Sequence, residues 1–248
     1  MNALDVKGLT YKYSDGTNAL KDVNIKINEG ERVGLIGPNG AGKSTLILHL
    51  NGILPERKTK QSGVRVFELP VIDPNLEKIR SMVGLLFQDP DDQLFCPTVR
   101  EDVAFGPDQM NLDDEELKSR VDSALKVTGL SGYDHRSPHH LSTGEKRRAC
   151  IAGLLACSPK ILVLDEPTSG LDPRGRRELS KLLRELPITQ IVVTHDLEFL
   201  VGLCSRVIIM DGGCIVTEGP LETIMSDEKL MLAHGLEKPH ILRHQHPH

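Results

Sequence analysis

One stretch near the N-terminus constrains the fold of this chain more than any other: an apolar strand, a glycine-rich turn and a helix follow directly on one another. RVGLIG, residues 32–37, is the continuous apolar run typical of a strand buried in a parallel sheet. GPNGAGKS, residues 37–44, fits the pattern G-x-x-x-x-G-K-[ST], and a helix is predicted for KSTLILHLNGIL, residues 43–54. Glycines let a backbone wrap closely around phosphate, while Lys43 adds a cation and Ser44 a hydroxyl that can ligate Mg²⁺. Because a plain glycine turn would not require Lys-Ser there, the stretch predicts a phosphate-binding loop.

The remaining strands and helices extend this beginning into a parallel α/β sheet. Short β-like runs separated by turn signals fill the first 33 residues and predict an antiparallel sheet at the N-terminus. Strands alternating with helices then indicate a mostly parallel core. The segment between the predicted strands 82–87 and 161–167 looks entirely helical, so we predict an inserted helical subdomain over about residues 89–158. The predicted elements are strands at 82–87, 161–167 and 188–195 and a helix at 113–128 that begins at Asp113 and ends at Gly129.

Composition excludes several classes of protein. The 248 residues carry a formal net charge of −5, which argues against a nucleic-acid partner because such proteins usually present a basic surface. No apolar run approaches the roughly 20 residues that a membrane-spanning helix needs, and MNALDVKGLT lacks the core of a signal peptide. The five cysteines are scattered and contain no C-x-x-C pair, which is typical of reduced thiols in the cytosol.

A pair of acids follows the buried strand ILVLDEP. Asp165 stands at the carboxyl end of that strand, the edge at which open α/β sheets bind ligands. There it is placed to hold Mg²⁺, and the adjacent Glu166 can act as a general base toward an attacking water. Alone, such a pair would be a solvated strand end; next to a phosphate-binding loop it predicts a catalytic pair.

With these motifs in order, the chain resembles the ATP-binding cassette (ABC) ATPases over residues 1 to about 230. The resemblance implies the P-loop fold of the ABC type, with MgATP as the nucleotide. It implies catalytic roles for Lys43, Gln88, Glu166 and His195, and it makes His195 a switch that contacts the γ-phosphate. The matching motifs are GPNGAGKST, Gln88 after MVGLLF, LSTGE, ILVLDEP, SGLD at 169–172 and His195 after IVVT.

The resemblance also assigns ligand-binding roles. Tyr13 is implied to stack on adenine, Ser44, Gln88 and Asp165 to hold Mg²⁺, and Asp172 to lie in a loop that crosses a dimer interface. The loop residues implied to hold ATP are Gly37, Pro38, Asn39, Gly40, Ala41, Gly42, Lys43, Ser44 and Thr45.

The segment LSTGE, residues 141–145, permits two interpretations. Ser142 followed by Glu145 is a capping box, which starts many helices for structural reasons alone. The resemblance implies instead that Ser142, Thr143 and Gly144 complete the ATP site of a second ABC subunit, either an identical chain or a paralogue. Both can hold, if Ser142 caps its own helix until ATP arrives from the partner. Thr143 stands where the family usually has glycine, which predicts a strained turn if that position needs a positive φ.

Two further segments indicate a branch of the family. FQDPDDQLFCPTVREDVAFGP, residues 87–107, and the basic run at 145–148 resemble the ATPases of energy-coupling-factor importers, particularly cobalt and nickel systems. This implies ATP hydrolysis at the cytoplasmic face of the cell membrane, with integral membrane coupling and substrate-binding subunits as partners. A vitamin importer of the same type and a non-transport ABC ATPase are the alternatives. We expect the segment to dock a membrane partner through two sets of side chains. The acidic surface consists of Asp89, Asp91, Asp92, Glu101 and Asp102, and the apolar residues that could fill a groove are Leu94, Phe95 and Val99.

The C-terminus carries an unusual density of histidine. Residues 234–248, HGLEKPHILRHQHPH, hold five of the ten histidines, and imidazole ligates Ni²⁺, Co²⁺ and Zn²⁺ well. The segment lacks helical spacing and an acidic co-ligand, so we predict a solvated tail rather than a metal site. The ATPase domain is accordingly predicted to span residues 1–233.

Overall fold

The structure of the chain is a computed structural model that describes residues 1–55 and 62–243. Within these ranges the strands form two sheets, one of four and one of six strands. The strands are β1 Asn2–Lys12, β2 Asn18–Asn28, β3 Arg32–Ile36, β4 Val64–Val66, β5 Leu69–Pro70, β6 Val83–Leu86, β7 Ile161–Asp165, β8 Thr189–Val193, β9 Arg206–Asp211 and β10 Cys214–Pro220. The helices are α1 Lys43–Leu50, α2 Leu76–Met82, α3 Val99–Asp108, α4 Asp114–Val127, α5 Thr143–Ala156, α6 Pro173–Glu185, α7 Leu197–Val201, α8 Leu221–Ser226, α9 Glu228–Ala233 and α10 His240–Arg243.

The smaller sheet is the antiparallel N-terminal unit that the sequence predicts. Its order is β2-β1-β4-β5, with β1 antiparallel to both β2 and β4. Along β2 the side chains of Val23, Ile25 and Ile27 are buried, and the residues between them are mostly exposed. This alternation leaves one apolar face, which packs against the larger sheet and α1.

The larger sheet places the predicted motifs side by side. Its order is β10-β9-β3-β8-β7-β6; the five strands from β9 to β6 in this order run parallel to one another, and β10 is antiparallel to β9. Both faces are covered: Ile161 and Val163 of β7 point into the core below the N-terminal sheet, while Leu162 and Leu164 point toward the helices. The carboxyl ends of β3, β8 and β7 therefore meet at one edge, which is where the site lies.

The segment between β6 and β7 is helical, as predicted. All of its residues are described, and α3, α4 and α5 pack against one another there as its principal elements. Asp113 caps α4 by accepting from Glu116 N, which agrees with the predicted start of that helix. The boundaries 89–158 stay a prediction.

Two expectations about the ends of elements need correction. Helix α1 ends at Leu50 rather than continuing to residue 54, because Gly52 adopts a φ of 71° that no right-handed helix accommodates. Residues 234–242 are not a solvated tail, since Leu236 and Leu242 are buried in the core beside α8 and α9. Residues 244–248, with three of the histidines, lie outside the described residues. In the described ranges, no helix combines the length and the apolar character needed to cross a bilayer.

Candidate active site

The loop between β3 and α1 wraps closely because glycine occupies its tightest positions. Gly37, Gly40 and Gly42 have φ values of 150°, 77° and 98°. A Cβ atom on Gly37 would lie 1.9 Å from the carbonyl oxygen of Met210, and one on Gly42 would lie 2.5 Å from that of Ala19. Gly42 is also the N-cap of α1 and offers no side chain to it. The first N–H groups of the helix are thus left for an anion.

Lys43 lies back across this loop. Its Nζ donates to the carbonyl oxygens of Gly37 and Pro38, both at 2.8 Å. Burial lowers the pKa of Lys43, although the carboxylates of Glu166 and Asp165 oppose that shift. An ammonium held by two carbonyls at the mouth of the loop can be transferred to a phosphate oxygen that enters there.

Ser44 and Asp165 bring two oxygen ligands together from α1 and β7. The Ser44 hydroxyl donates to Asp165 Oδ2 at 3.1 Å. Burial raises the pKa of Asp165, and the neighbouring Glu166 raises it further. A hydroxyl and a carboxylate are the oxygen donors that Mg²⁺ prefers, and the exposed Gln88 lines the same cleft. A cation there would relieve the cost of this crowded negative charge, so the donor set fits Mg²⁺.

Glu166 is held in a defined position just beyond β7. Its φ is 45°, and its N–H donates to the carbonyl oxygen of Val193 on β8 at 2.8 Å. Its Oε2 accepts from the Thr194 hydroxyl at 3.0 Å and from the His195 N–H at 3.3 Å, while His195 Nδ1 lies 2.8 Å away. The other face of His195 is open, with 80% of its side chain exposed. This carboxylate can accept a proton from a water at the cleft without moving its backbone.

Sequence reasoning missed Thr194 and Tyr11. Thr194 is 1% exposed and orients Glu166, and the only signal for it is its place directly before His195. Tyr11 packs edge-to-face on Tyr13, with ring centroids 5.0 Å apart. The Tyr13 hydroxyl lies 3.0 Å from Thr45 Oγ1, so the ring expected to meet adenine is tied to the phosphate loop.

These side chains surround one open cleft of about 710 Å³. Its lining brings together most of the predicted site from five separate parts of the chain. The predicted residues that line it are Tyr13, Asn39, Gly40, Ala41, Gly42, Lys43, Ser44, Thr45, Gln88, Asp165, Glu166 and His195. Gly37 and Pro38 stand behind the cleft as the carbonyl acceptors of Lys43.

The remaining predicted residues lie outside this cleft. Ser142 and Asp172 are exposed, and each caps a helix of its own. The Ser142 hydroxyl donates to Glu145 Oε2 at 2.7 Å, and Glu145 N donates to Ser142 Oγ at 3.3 Å, which confirms the capping box. The hydrogen bond from Ser142 lowers the pKa of Glu145. An exposed helix start of this kind is available to a ligand from outside the chain.

The expected strain at Thr143 is wrong. Thr143 is the first residue of α5, and its φ is not among the positive values. The turn is completed before it by Ser142 at φ −64°, in the extended region that an N-cap adopts. Threonine therefore fits the helical backbone here, and its methyl group lies close to Gly170.

The segment 88–107 differs from the expected docking surface. Leu94 is 7% exposed and Val99 is fully buried, so both belong to the core and cannot fill a partner's groove. Phe95 remains, 64% exposed, and it packs edge-to-face on Phe105, which is 50% exposed, at a centroid distance of 4.8 Å. We call these two rings the aromatic pair.

The acids of this segment are largely engaged within the chain. Asp91 lies 2.6 Å from Lys146 Nζ, and Glu101 completes a capping box with Thr98. Asp102 accepts from the N–H groups of Phe95 and Cys96, both at 3.0 Å. Intrahelical and turn hydrogen bonds thus use side chains that the sequence alone presents as a free acidic surface.

The described part of the C-terminal segment supplies no metal centre. Across residues 1–55 and 62–243, no group of three or more His, Cys, Asp and Glu side chains is arranged to hold a metal ion. His234 instead pairs with Asp211, at 2.9 Å from Nδ1 to Oδ2.

Comparison with known proteins agrees with this geometry. A family model described as "ABC transporter" matches residues 20–169. The energy-coupling factor transporter ATP-binding protein EcfA of Methanothermobacter thermautotrophicus is 48% identical over 243 residues, covering 95% of this chain and 76% of that protein.

Solved structures extend the likeness to three dimensions. CbiO1 from Clostridium perfringens, part of the ABC transporter complex CbiONQ, has a TM-score of 0.81 and 40% identity, with 98% of both chains covered. The ATP-binding cassette MJ0796, a dimer in a post-hydrolysis state bound to ADP and Pi, has a TM-score of 0.77 and 30% identity, covering 88% of this chain and 98% of that one.

Proposed function

Since the chain belongs to the ABC transporter family, as an ATPase subunit of the energy-coupling-factor type that couples ATP hydrolysis to transport, we propose that it powers the import of cobalt or nickel ions. The observation that carries the catalytic part is the convergence of Lys43, Ser44, Asp165, Glu166 and His195 on one cleft. Asp165 and Glu166 stand at the carboxyl end of β7 and His195 just beyond β8, while Lys43 and Ser44 begin α1, the helix that follows β3.

The phosphates are assigned to the loop 37–45. Its backbone N–H groups and the start of α1 meet their negative charge, and Lys43 exchanges the carbonyls of Gly37 and Pro38 for a phosphate oxygen. Tyr13 supplies the aromatic face for adenine. The hydrogen-bond distance from its hydroxyl to Thr45 supports this role, because it places the ring beside the phosphate loop.

Hydrolysis is assigned to Glu166. Water attacks the γ-phosphorus and gives its proton to the Glu166 carboxylate as the bond to the β–γ bridging oxygen breaks, releasing ADP and phosphate. Thr194 and the His195 N–H keep Oε2 oriented for that transfer. The Mg²⁺ that Ser44, Asp165 and Gln88 would hold neutralises charge on the phosphates when bound. His195 would contact the γ-phosphate and act as the switch that couples its presence to the conformation of the chain.

A second ATPase subunit, either a copy of this chain or a paralogue, completes the site. Ser142 and the N–H groups of Thr143 and Gly144 would reach the γ-phosphate held by the partner, and Asp172 would lie at the same interface. The exposed position of Ser142 at the start of α5 supports this arrangement. The relative MJ0796 is itself described as a dimer bound to ADP and Pi.

We assign a membrane partner to the segment 88–107 and propose that the subunit works at the cytoplasmic face of the cell membrane. The aromatic pair offers an apolar anchor, and Asp89 and Asp92 add exposed acidic neighbours. An amphipathic helix with basic flanks would complement both features. The relative CbiO1 is described as part of a transporter complex, which supports such a partner.

We assign the transported solute from the resemblance of residues 87–107 and 145–148 to cobalt and nickel systems. A vitamin importer of the same type is the alternative. The test is uptake into proteoliposomes that contain the chain with its membrane subunits, with Co²⁺, Ni²⁺ and a panel of vitamins offered separately. We expect ATP-dependent uptake of Co²⁺ or Ni²⁺. Uptake of a vitamin and of neither ion would contradict the proposed solute.

The same vesicles test Glu166. Glu166→Gln should keep MgATP binding and lose at least about a hundredfold in hydrolysis rate, the scale of general-base loss, with uptake lost in parallel. Glu185→Gln makes the same change on the exposed surface of α6 and should leave both activities unchanged. Near-normal hydrolysis by Glu166→Gln would remove Glu166 from the role.

A further inference from the structure

An arginine on α5 is buried where a cation is expensive. Arg147 is 1% exposed and ranks among the largest fully buried side chains of the described residues. Among those residues it forms no ion pair, and its Nε is buried without a hydrogen-bond partner. Burial lowers the pKa of Arg147, while Asp89 and Asp165 act on it from a distance. A packed apolar side chain would suit stability as well or better, so the position calls for another explanation.

The guanidinium joins three segments of the chain. One nitrogen donates to the carbonyl oxygen of Phe87 at 2.9 Å, and the other donates to that of Ser169 at 3.3 Å. Phe87 directly precedes Gln88. Ser169 N in turn donates to the carbonyl oxygen of Glu166 at 3.1 Å. One planar fork on α5 thus holds both the backbone next to Gln88 and the turn that follows Glu166.

The same side chain borders the space between the cleft and the start of α5. Arg147 lines a cavity of about 620 Å³ together with Ser44, Gln88, Thr143 and Asp165. Ser142 lies five residues before Arg147 on one rigid helix, about 7.5 Å along its axis. Any displacement of the Ser142 end is therefore carried to the guanidinium and to the two carbonyls that it holds.

We propose that Arg147 is a positioning residue that couples the two halves of the ATP site: it transmits engagement of Ser142 by a partner's nucleotide to Gln88 and Glu166 of its own chain. The inference rests on the shared site proposed above. Arg147 touches no nucleotide. Its effect is on the cooperativity between two sites and on turnover, while nucleotide affinity stays with the loop 37–45.

The test compares Arg147→Met, Arg147→Lys and Arg120→Met with wild type. Met keeps the length and removes the charge, whereas Lys keeps the charge but cannot bond both carbonyls in one plane. Arg120→Met is the matched control, because Arg120 lies on α4 and pairs only with Glu116 among the contacts described. The measurements are MgATP affinity, ATPase rate against ATP concentration and melting temperature.

For Arg147→Met we expect an MgATP affinity within about twofold of wild type. Turnover should fall by about tenfold, which is the size of effect that coupling between two sites commonly has. The Hill coefficient should fall to about 1, because the two sites would then act independently. The melting temperature of this variant should stay close to that of wild type, because the loss of two hydrogen bonds and the removal of a buried charge act in opposite directions. Arg147→Lys should fall between Met and wild type, and Arg120→Met should match wild type. A purely structural role would lower melting temperature without changing the Hill coefficient.

Wild-type cooperativity in Arg147→Met would overturn the inference. If Arg147→Met fails to fold, Arg147→Lys decides the matter, and full cooperativity and turnover in that variant overturn the inference as well. A wild-type chain with no cooperativity in ATP would count against the shared site itself and with it this coupling. A cooperative wild type with an equally cooperative Arg147→Met would remove only the role of Arg147.

Discussion

At the scale of residues, the adjacent acids Asp165 and Glu166 have different environments. Glu166 is oriented by the Thr194 hydroxyl and by the backbone N–H of His195, two residues that directly follow the neighbouring strand β8. Asp165 accepts from Ser44, but burial and the charge of Glu166 raise its pKa. One carboxylate is thus held in one orientation, as the proposed general base requires. The other is destabilised until a cation arrives, and this is expected of a residue that holds Mg²⁺.

Asp165→Asn should therefore stabilise the nucleotide-free chain. Because the folded-state pKa of Asp165 is raised, its ionised form weakens folding above that pKa, and the penalty disappears as pH falls below the unfolded value. We expect a higher melting temperature for the variant at neutral pH, and a difference that shrinks steadily toward pH 4. Binding of MgATP should weaken in the same variant.

Thermal scans of both proteins from neutral to acidic pH, without nucleotide, measure this directly. Asp22→Asn makes the same change at an exposed position, so it is the matched control and should show no pH-dependent gain. A less stable Asp165→Asn at neutral pH would mean that the Ser44 hydrogen bond outweighs burial.

At the scale of elements, the parts that sequence predicts well are those with their own local signal. The strand, loop and helix around residues 32–50 are predicted by an apolar run, by the glycines of the loop and by Lys43-Ser44. The capping box of α5 is predicted by Ser142 and Glu145. The segment 88–107 shows the opposite. Leu94 and Val99 are apolar like Phe95, and only packing against the other helices decides which of them is buried.

The same limit explains Arg147 and Thr194. A basic residue in the run 145–148 predicts a solvated face, since nothing local reveals that two carbonyls from distant segments receive its guanidinium. Thr194 shows no pattern of its own either, because its partner Glu166 is 28 positions away. Contacts that assemble only when strands become neighbours are not encoded in any short window.

The aromatic pair is the element-scale feature most open to test. Phe95→Ala together with Phe105→Ala should reduce co-purification of the membrane subunits by at least about tenfold, because a buried aromatic anchor commonly contributes about 2 kcal/mol or more to an interface. MgATP affinity should stay within about twofold of wild type, since neither ring lines the nucleotide cleft.

Leu232→Ala is the matched control for that measurement. Leu232 is 60% exposed on α9, so the change removes exposed apolar area from another element. Co-purification, ATPase rate and uptake should all stay at wild-type levels in the control. Undiminished assembly of the double phenylalanine variant would exclude this surface as the docking site.

At the scale of the whole molecule, the order of the larger sheet bears on the proposal that two chains share each site. Strand β8 lies between β3 and β7, so the loop 37–45, Glu166 and His195 share one edge. Ser142, the N-cap of α5, is exposed and does not line that cleft. A head-to-tail pair of chains would bring the two surfaces together twice, once at each nucleotide.

The measurement that tests this account most directly is the ATPase rate of two inactive variants after mixing. Lys43→Ala damages the phosphate loop and Ser142→Arg blocks the surface offered to the partner, so each alone should inactivate both shared sites. A mixed dimer would contain one intact site, with Lys43 and Ser142 from different chains. We predict that activity reappears on mixing, at up to about a quarter of the wild-type rate for random pairing of chains. A mixture that stays at the level of its two parents, or a Ser142→Arg chain that hydrolyses ATP at the wild-type rate alone, would contradict a site shared between copies of this chain.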